Sequence, residues 1–359
     1  YTGAAAVVVE RGRRVLEVAV GRAQAHDRGT PLAEPPAATV DTIYDVASLT
    51  KVCATTAAVM CLVGDGALDV DTPVGAFVPE FIGGAKDGIL LRHLLTHRAG
   101  LWEWWPLYAG TAGPREALHR AAGLPLRYPV DASRHYSDLG MVLAGEIVER
   151  VAGEPLDAFA ARRVFAPLGM IDTGFLPDPG LEGRIAATST GNPHEVHMLA
   201  TGEPYPTGVS PDAFTGWRHH TLVGEVNDGN AHYAFEGSAG HAGLFSTARD
   251  VAAFGQELLG SDPVIFDPAV VERFTRDDVE PGQGLGFWTD RLGDAGLGRG
   301  GFGHSGFTGC ELLVDRSREL VAVLLTNRLH VGYPHPVIRP AWRDLLEVAL
   351  GARDAPGPA

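Results

Sequence analysis

The sequence is poor in lysine, in cysteine and in long apolar runs. Only two of its 29 basic residues are lysines, Lys51 and Lys86, and the others are arginines. The formal net charge is −15, and the basic residues form no run. Such a chain repels phosphate backbones and anionic lipid, so nucleic acid and membrane surfaces are not expected partners. No apolar run approaches the roughly 20 residues of a membrane-spanning helix, so no span is expected.

The three cysteines predict neither a disulfide framework nor a metal site. Cys53 and Cys61 stand eight residues apart in a predicted helix, roughly 12 Å along its axis, which is too far for a disulfide. Cys310 is isolated, and there is no CxxC motif or zinc-type Cys/His spacing. We therefore expect no metal and no cofactor. Cysteine usage favours the cytoplasm, and secretion is the alternative if a signal peptide has been removed ahead of Tyr1.

The order of the predicted elements indicates an α/β protein with two lobes. Runs rich in β-forming residues stand at both ends of the chain, so we predict one antiparallel sheet built by both ends and flanked by helices. This lobe comprises residues 1–64 and 245–359. Residues 65–244 mix helices with Pro/Gly-rich loops and are predicted to form an inserted, mainly helical lobe. The chain, 1–359, would then be a single two-lobed domain.

Lys51 follows Ser48 by three residues at the start of a predicted helix. This spacing places both side chains on one helix face, where unpaired backbone N–H groups favour a developing oxyanion. A serine hydroxyl needs a base to become a good nucleophile. Lysine can lose its proton in a protein, whereas arginine cannot. Composition predicts only about 0.06 chance matches to Ser-x-x-Lys, so the pair indicates a nucleophile and its base.

Two further motifs follow in the chain. "YSD" occupies residues 136–138, and "HSG" occupies residues 304–306 ahead of a predicted strand. The order of the three motifs resembles that of the serine β-lactamase and penicillin-binding protein superfamily, and most closely its class C β-lactamase-like serine hydrolases. "PLGMIDTGF" and "AGHAGLFSTARDVAAF" also resemble family segments, so the similarity covers nearly the whole chain. It implies a β-lactamase/transpeptidase-like fold and catalysis through an acyl-enzyme.

The resemblance implies a role for each motif residue. Ser48 is the expected nucleophile, and Lys51 and Tyr136 would share the proton transfers. The expected oxyanion hole consists of the backbone N–H groups of Ser48 and Phe307. His304 would lie on an edge strand facing the nucleophile, where it would assist proton transfer or hold a substrate carboxylate.

Four further residues are expected to contact the substrate. Gly306 would allow the substrate close to the strand backbone, and Ser305 precedes it in the motif. Asp138 either pairs with Lys51 or caps the helix that follows it. Trp104, within "LWEWWPLY", either lines the mouth of the site or fills the core of the helical lobe.

Two departures from the family pattern bear on the reaction. Asp138 stands where the β-lactamases usually have an Asn amide, and an ionised carboxylate cannot donate a hydrogen bond. His304 replaces the lysine of class C β-lactamases and is mostly uncharged at neutral pH. We therefore expect an esterase or D-amino-acid peptidase or carboxypeptidase, acting on a small-molecule or peptide acyl donor, rather than an efficient β-lactamase. A transacylase of specialised metabolism, passing the acyl group to an amine or alcohol, is one alternative. A non-catalytic acyl-binding sensor is another.

"GSAGHAGLFST" and the histidines near it carry a weaker signal. His241, in this glycine-rich loop, is expected to be a hydrogen-bonded structural residue rather than part of the cleft. The 14 histidines show no zinc-type spacing, which agrees with the expectation that no metal is bound.

Overall fold

The structure, a computed structural model, describes residues 1–260, 262–277 and 280–351. The strands are, in chain order, β1 (Gly3–Glu10), β2 (Arg13–Gly21), β3 (His26–Asp27), β4 (Thr30–Pro31), β5 (Tyr44–Asp45), β6 (Gly174–Phe175), β7 (Leu244–Ser246), β8 (Trp288–Thr289), β9 (Phe302–Gly306), β10 (Cys310–Asp315) and β11 (Leu320–Thr326). The α-helices are α1 (Ala57–Gly64), α2 (Leu91–Leu95), α3 (Pro114–Gly123), α4 (Asp138–Ala152), α5 (Leu156–Ala160), α6 (Pro193–Thr201), α7 (Ala248–Leu259), α8 (Pro268–Thr275), α9 (Arg291–Ala295) and α10 (Arg339–Gly351).

Shorter helical turns complete the secondary structure. The π-helical segments are Lys51–Thr56, Ala161–Phe165 and Asn230–Ala234, and the 3₁₀ segments are Val74–Ala76, Gly84–Gly88, Pro179–Arg184, Pro211–Ala213 and Arg328–Val331. In the described ranges, no helix combines the length and the apolar character needed to cross a membrane.

A six-stranded antiparallel sheet, in the order β2-β1-β11-β10-β9-β8, forms the centre of the fold. Both ends of the chain contribute to it, as the sequence predicts, and α10 is the last helix of the described residues. Residues 352–359 of the predicted α/β lobe lie outside the described residues. The boundaries proposed between the two lobes, after residues 64 and 244, remain a prediction.

Helices cover both faces of the sheet, which explains the continuous apolar run of β1. Successive residues of a strand point to opposite faces. Val7 and Val9 pack in the large core that includes residues of α1 and α7. Val8 packs in a smaller core with Trp342 and Leu346 of α10. Since water reaches neither face here, no alternation of polar and apolar residues is required.

A second, three-stranded sheet, β5-β7-β6, lies next to the first serine motif. Its strands have only two or three residues, too few for a hydrophobic period, and the sequence does not predict it. The helix after Ser48 begins with the π-helical segment Lys51–Thr56 and continues as α1. Every residue from Val52 to Leu62 is buried, so this predicted helix runs through the core of the protein.

Candidate active site

Ser48 lies in a tight turn between β5 and the buried helix. The preceding residue, Ala47, has φ 46°, a left-handed conformation that strains any residue with a Cβ. Asp45 stabilises the turn, because its Oδ1 accepts a hydrogen bond from Ala47 N at 2.8 Å and its Oδ2 accepts one from Asn227 N at 2.7 Å. Burial raises the pKa of Asp45 to about 6, although both N–H groups oppose the shift. The buried Asp45 side chain therefore holds the backbone of the turn in place.

Lys51 is 1% exposed, and its ammonium lies among polar groups. Its Nζ donates to Ser48 Oγ at 2.8 Å and to the His241 carbonyl oxygen at 3.0 Å, and it lies 2.7 Å from Asp138 Oδ1. Burial alone would lower the pKa of Lys51, but the Asp138 carboxylate and the Tyr136 phenol raise it above its ordinary value. Lys51 is thus a buried ammonium rather than a neutral amine.

Tyr136 lies against the same ammonium. The Ser48 and Lys51 side chains are both hydrogen-bonding neighbours of its phenol, and Lys51 Nζ lies 5.0 Å from the ring centroid. Burial of the phenol raises the pKa of Tyr136, and the charge of Lys51 opposes this shift without cancelling it. The nucleophile, the cation and the phenol predicted from two separate motifs therefore meet at one point.

Ser137 caps α4, a role that the sequence left open for Asp138. Its Oγ accepts a hydrogen bond from Gly140 N at 3.1 Å and donates one to the Trp102 carbonyl oxygen at 2.6 Å. Its backbone N–H donates to His97 Nδ1 at 3.1 Å. The His97 imidazole was not predicted as a site residue, yet it supports the loop that presents the phenol. Of the two alternatives for Asp138, the structure shows the ion pair with Lys51, and Ser137 is the cap of the helix.

His304 is buried and electrically neutral. Its Nδ1 donates to the Ser305 carbonyl oxygen at 2.7 Å, which leaves the Nε2 lone pair without a partner among the described residues. Burial, followed by the charge of Lys51, holds the pKa of His304 well below its ordinary value. The ring packs against Trp288 and Tyr136, with centroid distances of 4.5 Å and 5.9 Å. A neutral imidazole offers a proton acceptor here and brings no positive charge for a carboxylate.

The end of β9 is attached to the Ser48 turn. Thr308 Oγ1 donates to a β5 carbonyl oxygen at 2.7 Å, and a Cβ on Gly306 would overlap the Val46 carbonyl oxygen. The Val46 backbone therefore leaves no room for a Cβ at Gly306, and the expected close approach of substrate to this glycine stays a prediction. Within the described ranges, the backbone N–H groups of Ser48 and Phe307 donate to no protein acceptor. Both remain available for an oxyanion.

A cavity of about 210 Å³ opens onto Ser48. Tyr136, Asp138, Trp104 and Phe307 also line it, whereas Lys51 lies behind the nucleophile. The other lining residues are Ala47, Ser189, Asn192, Pro193, His194, Glu195, Met198, Pro204, Tyr205, Asn227, Asp228, His241, Ala242, Leu329 and His335. Trp104 is 3% exposed and also packs in the core of the helical region, so both alternatives for it hold.

Four other cavities along the described residues, of about 1370, 240, 660 and 220 Å³, are larger but lie elsewhere. One of about 1370 Å³, next to α3 and α4, contains none of the predicted site residues. Another of about 660 Å³ is lined by Ser305 together with Arg291 and Arg328. The structure therefore does not bring Ser305 into the cavity that holds Ser48, although its neighbour His304 contacts Tyr136.

Three ionisable residues of the Ser48 cavity were not predicted to act together. Asp228 Oδ1 lies 2.9 Å from His241 Nε2, so His241 is hydrogen-bonded, as predicted, and also lines the cavity. Glu195 accepts hydrogen bonds from Tyr108 Oη at 2.7 Å and from Gly229 N at 2.6 Å. Burial, followed by the charge of Asp228, raises the pKa of Glu195 to about 7. Glu195 comes from α6 and Asp228 and His241 come from two loops, and no spacing in the sequence links them.

Asp138, Asp228 and His241 have ligand-type atoms within 4.8 Å of one another, the arrangement from which a metal site can be made. The Lys51 ammonium already contacts Asp138 from within the protein. The Lys51 ammonium thus supplies a positive charge beside this cluster, and that charge would repel a divalent cation.

The family model described as Beta-lactamase matches residues 1–347. The chain belongs to the Beta-lactamase family. This confirms the family predicted from the motifs and identifies the protein as a serine hydrolase. The "N-acetylmuramyl-L-alanine amidase" of Bacillus subtilis (strain 168) is 32% identical over 95% of this chain and 79% of the relative. A "Putative D-alanyl-D-alanine carboxypeptidase" of Salmonella agona is 32% identical over 93% of this chain and 80% of the relative.

A solved structure supports the fold assignment. The octameric penicillin-binding protein homologue from Pyrococcus abyssi superimposes with a TM-score of 0.71 at 20% identity. The match covers 98% of this chain and 74% of the Pyrococcus abyssi chain. The β-lactamase/transpeptidase-like fold predicted from the sequence is therefore confirmed.

Proposed function

We propose that this serine hydrolase cleaves an ester or amide bond through an acyl-enzyme on Ser48, as an esterase or D-amino-acid peptidase. The observation that carries the proposal is the contact of Lys51 Nζ with Ser48 Oγ at 2.8 Å, beside Tyr136 and at the floor of an open cavity. A nucleophile, a proton acceptor and a buried cation then adjoin the space that a substrate would fill.

The acylation step uses the fraction of the enzyme in which Tyr136 is ionised, because burial raises the pKa of this phenol. Ser48 Oγ forms a bond to the substrate carbonyl carbon, and its proton passes to the phenolate of Tyr136. The Lys51 ammonium stabilises the phenolate, since an opposite charge in contact favours the ionised form. The carbonyl oxygen becomes an oxyanion and accepts hydrogen bonds from the N–H groups of Ser48 and Phe307. The bond from the carbonyl carbon to the leaving amine or alcohol then breaks, and Tyr136 returns its proton to that group.

In the deacylation step, water attacks the acyl carbon while Tyr136 takes the water proton. The bond to Ser48 Oγ breaks, and the serine recovers its proton from the phenol. Lys51 keeps its charge throughout, because Asp138 holds its pKa above the ordinary value. His304, with its free Nε2, would accept a hydrogen bond from substrate or water in either step.

Amide and ester donors are preferred over β-lactams for two reasons. The Asp138 carboxylate that pairs with Lys51 cannot donate to a substrate carbonyl as an Asn amide can. The neutral His304 offers no charge to the carboxylate of a β-lactam. The two relatives at 32% identity are named as an amidase and a carboxypeptidase, which supports an amide substrate.

Intact-protein mass spectrometry during turnover tests this proposal. The wild type would be mixed with p-nitrophenyl butyrate, a penicillin or a D-Ala-D-Ala peptide, and product release followed in parallel. We expect a mass increase of one acyl group with the ester or the peptide, and continued product release. Ser48→Ala should show neither, whereas Ser210→Ala, at an exposed loop position, should behave as the wild type does.

Other outcomes would contradict specific parts of the proposal. Turnover by Ser48→Ala would refute the nucleophile. One equivalent of bound acyl group without further product would indicate the acyl-binding sensor. Loss of the acyl group only when an amine or alcohol is added would indicate a transacylase in place of a hydrolase.

A further inference from the structure

Asp45, the second residue of β5, lies between the two segments that carry the expected oxyanion donors. It is 2% exposed. Its carboxyl group contacts the turn that holds Ser48, and its backbone carbonyl oxygen contacts the loop that follows Phe307. One buried residue therefore contacts both sides of the expected oxyanion hole.

The first contact is with the residue that precedes the nucleophile. Asp45 Oδ1 accepts a hydrogen bond from Ala47 N at 2.8 Å, and Ala47 has φ 46°. A residue with a Cβ keeps this left-handed conformation only where its surroundings hold it. Because the backbone angles of Ala47 set the orientation of the next peptide unit, the carboxyl group also sets the direction of the Ser48 N–H.

The second contact is with the residue that follows Phe307. Thr308 is 1% exposed, and its Oγ1 donates to the Asp45 carbonyl oxygen at 2.7 Å. On the other side of Phe307, a Cβ on Gly306 would overlap the Val46 carbonyl oxygen, so the two backbones are in close contact there. The Phe307 N–H is therefore held against Asp45 and Val46 through both of its neighbours.

The Asp45 side chain uses both carboxyl oxygens as acceptors. The described residues give it two hydrogen bonds from backbone N–H groups, to Oδ1 from Ala47 and to Oδ2 from Asn227 at 2.7 Å. An asparagine has a single acceptor oxygen and could satisfy only one of these donors. Burying a carboxylate costs more free energy than burying an amide. The aspartate is therefore explained by the two N–H groups that it joins.

We propose that Asp45 is a positioning residue, which aligns the N–H groups of Ser48 and Phe307 into one oxyanion hole. The inference rests on the proposed function, because the oxyanion forms in its acylation step. Asp45 is not among the described residues that line the Ser48 cavity, and it acts through Ala47 and Thr308. The two donors bind charge that develops only in the transition state, so misaligned donors slow bond formation more than they weaken substrate binding.

An ester and its thionoester test the proposal: p-nitrophenyl butyrate and the compound with sulfur in place of the carbonyl oxygen. Sulfur is a weak hydrogen-bond acceptor and gains little from two N–H donors. Each kcat/KM is divided by the rate constant for hydroxide ion, which removes the difference in intrinsic reactivity. We expect the corrected kcat/KM of the wild type to be at least about tenfold higher for the ester than for the thionoester.

Thr308→Val removes the hydroxyl donor at nearly the same shape and should lower this ester preference severalfold. Thr308→Ser keeps the donor and should retain the wild-type preference. Asp45→Asn loses one of two acceptors and should lower the preference by about the same factor as Thr308→Val. The double variant should lose less than the product of the two factors, because both changes act on one junction.

Asp178→Asn is the matched control, since Asp178 Oδ1 accepts a hydrogen bond from Gly180 N at 2.7 Å with the same sequence spacing at an exposed position. Its ester preference should equal that of the wild type. Equal losses with both substrates in Thr308→Val and Asp45→Asn would mean that these residues only stabilise the fold, and would overturn the proposal. Losses that multiply in the double variant would overturn the joint alignment of the two donors.

Failure of the proposed function gives a different result. A wild type without any preference for the ester has no oxyanion hole at Ser48, whatever the variants do. Absence of an acyl-enzyme on Ser48 overturns the proposed function itself. If Asp45→Asn does not fold, the comparison of Thr308→Val with Thr308→Ser decides, because neither changes the carboxyl group.

Discussion

The two walls of the Ser48 cavity differ in how their charged groups are paired. On the nucleophile wall, Lys51 Nζ contacts Ser48 Oγ, the His241 carbonyl oxygen and Asp138, and the phenol of Tyr136 adjoins it. On the opposite wall, Asp228 accepts hydrogen bonds from His241 and Ala231, and Glu195 accepts them from Tyr108 and Gly229, without a lysine or arginine in contact in the described part of the chain. The groups for bond breaking are thus arranged around one buried cation before the substrate arrives, whereas hydrogen bonds hold the carboxyl groups opposite.

Lys51→Arg replaces the buried cation of the nucleophile wall and should have the largest effect on activity. A guanidinium is larger and planar, and it cannot replace a compact ammonium at a position that is 1% exposed. We expect kcat/KM to fall by about 10²–10⁴ with the ester and amide donors. Lys86→Arg is the matched control, since Lys86 Nζ donates to the Ala122 carbonyl oxygen and lies over the Phe81 ring, remote from the cavity.

The outcome also decides why the chain keeps a lysine here. The sequence suggests that lysine is needed because it can lose its proton. In the structure Asp138 and Tyr136 keep Lys51 charged, so the advantage over arginine is its size and the direction of its donors. Wild-type rates in Lys51→Arg would refute both explanations and leave the role of Ser48 to its own variant.

Gly306→Ala tests the close contact between the end of β9 and the Ser48 turn. The added Cβ would overlap the Val46 carbonyl oxygen and push the Phe307 N–H away from the nucleophile. Loss of one oxyanion donor typically costs about 10²–10³ in kcat, and partial displacement should cost about 10–10². Gly88→Ala is the control, because a Cβ there meets nothing within 4 Å. Unchanged kcat at equal melting temperature would remove Phe307 from the oxyanion hole.

Asp138→Asn should change the pH profile rather than abolish activity. The carboxylate raises the pKa of Lys51 and adds to the raised pKa of Tyr136, so removing it lowers both. If the phenolate is the base, kcat/KM rises with pH until Tyr136 is ionised. The rise should then come at lower pH in the variant. At pH 8 the variant should reach a severalfold larger fraction of its own maximal kcat/KM than the wild type does. A rise at the same pH in both proteins would exclude Tyr136 as the titrating base.

The sequence predicted the nucleophile wall because each of its motifs is local. Ser48 and Lys51 are one helical turn apart, and Tyr136 and His304 each stand in a short motif of a known order. The opposite wall has no such signal, since Glu195, Asp228 and His241 meet only through the packing of α6 against two loops. The sheet from both chain ends was predictable for the same reason as the motifs, namely long β-rich runs. The two-residue strand β5, which fixes the Ser48 turn, was too short to show a period.

Glu195→Gln examines the opposite wall through stability and should have the smallest effect. The pKa of the Glu195 carboxyl is about 7 in the folded protein and near 4.5 when exposed, so the folded state holds its proton more tightly. Between these values the unfolded chain binds fewer protons, and wild-type stability therefore falls as pH rises. Glutamine has the same shape and no such loss. The melting temperature of Glu195→Gln minus that of the wild type should therefore increase between pH 5 and pH 8, by on the order of 2 °C. Asp45 and Glu311, whose pKa values are also raised, titrate in both proteins and cancel in the difference. A constant difference across this range would mean that the carboxyl is paired with a cation in the folded protein.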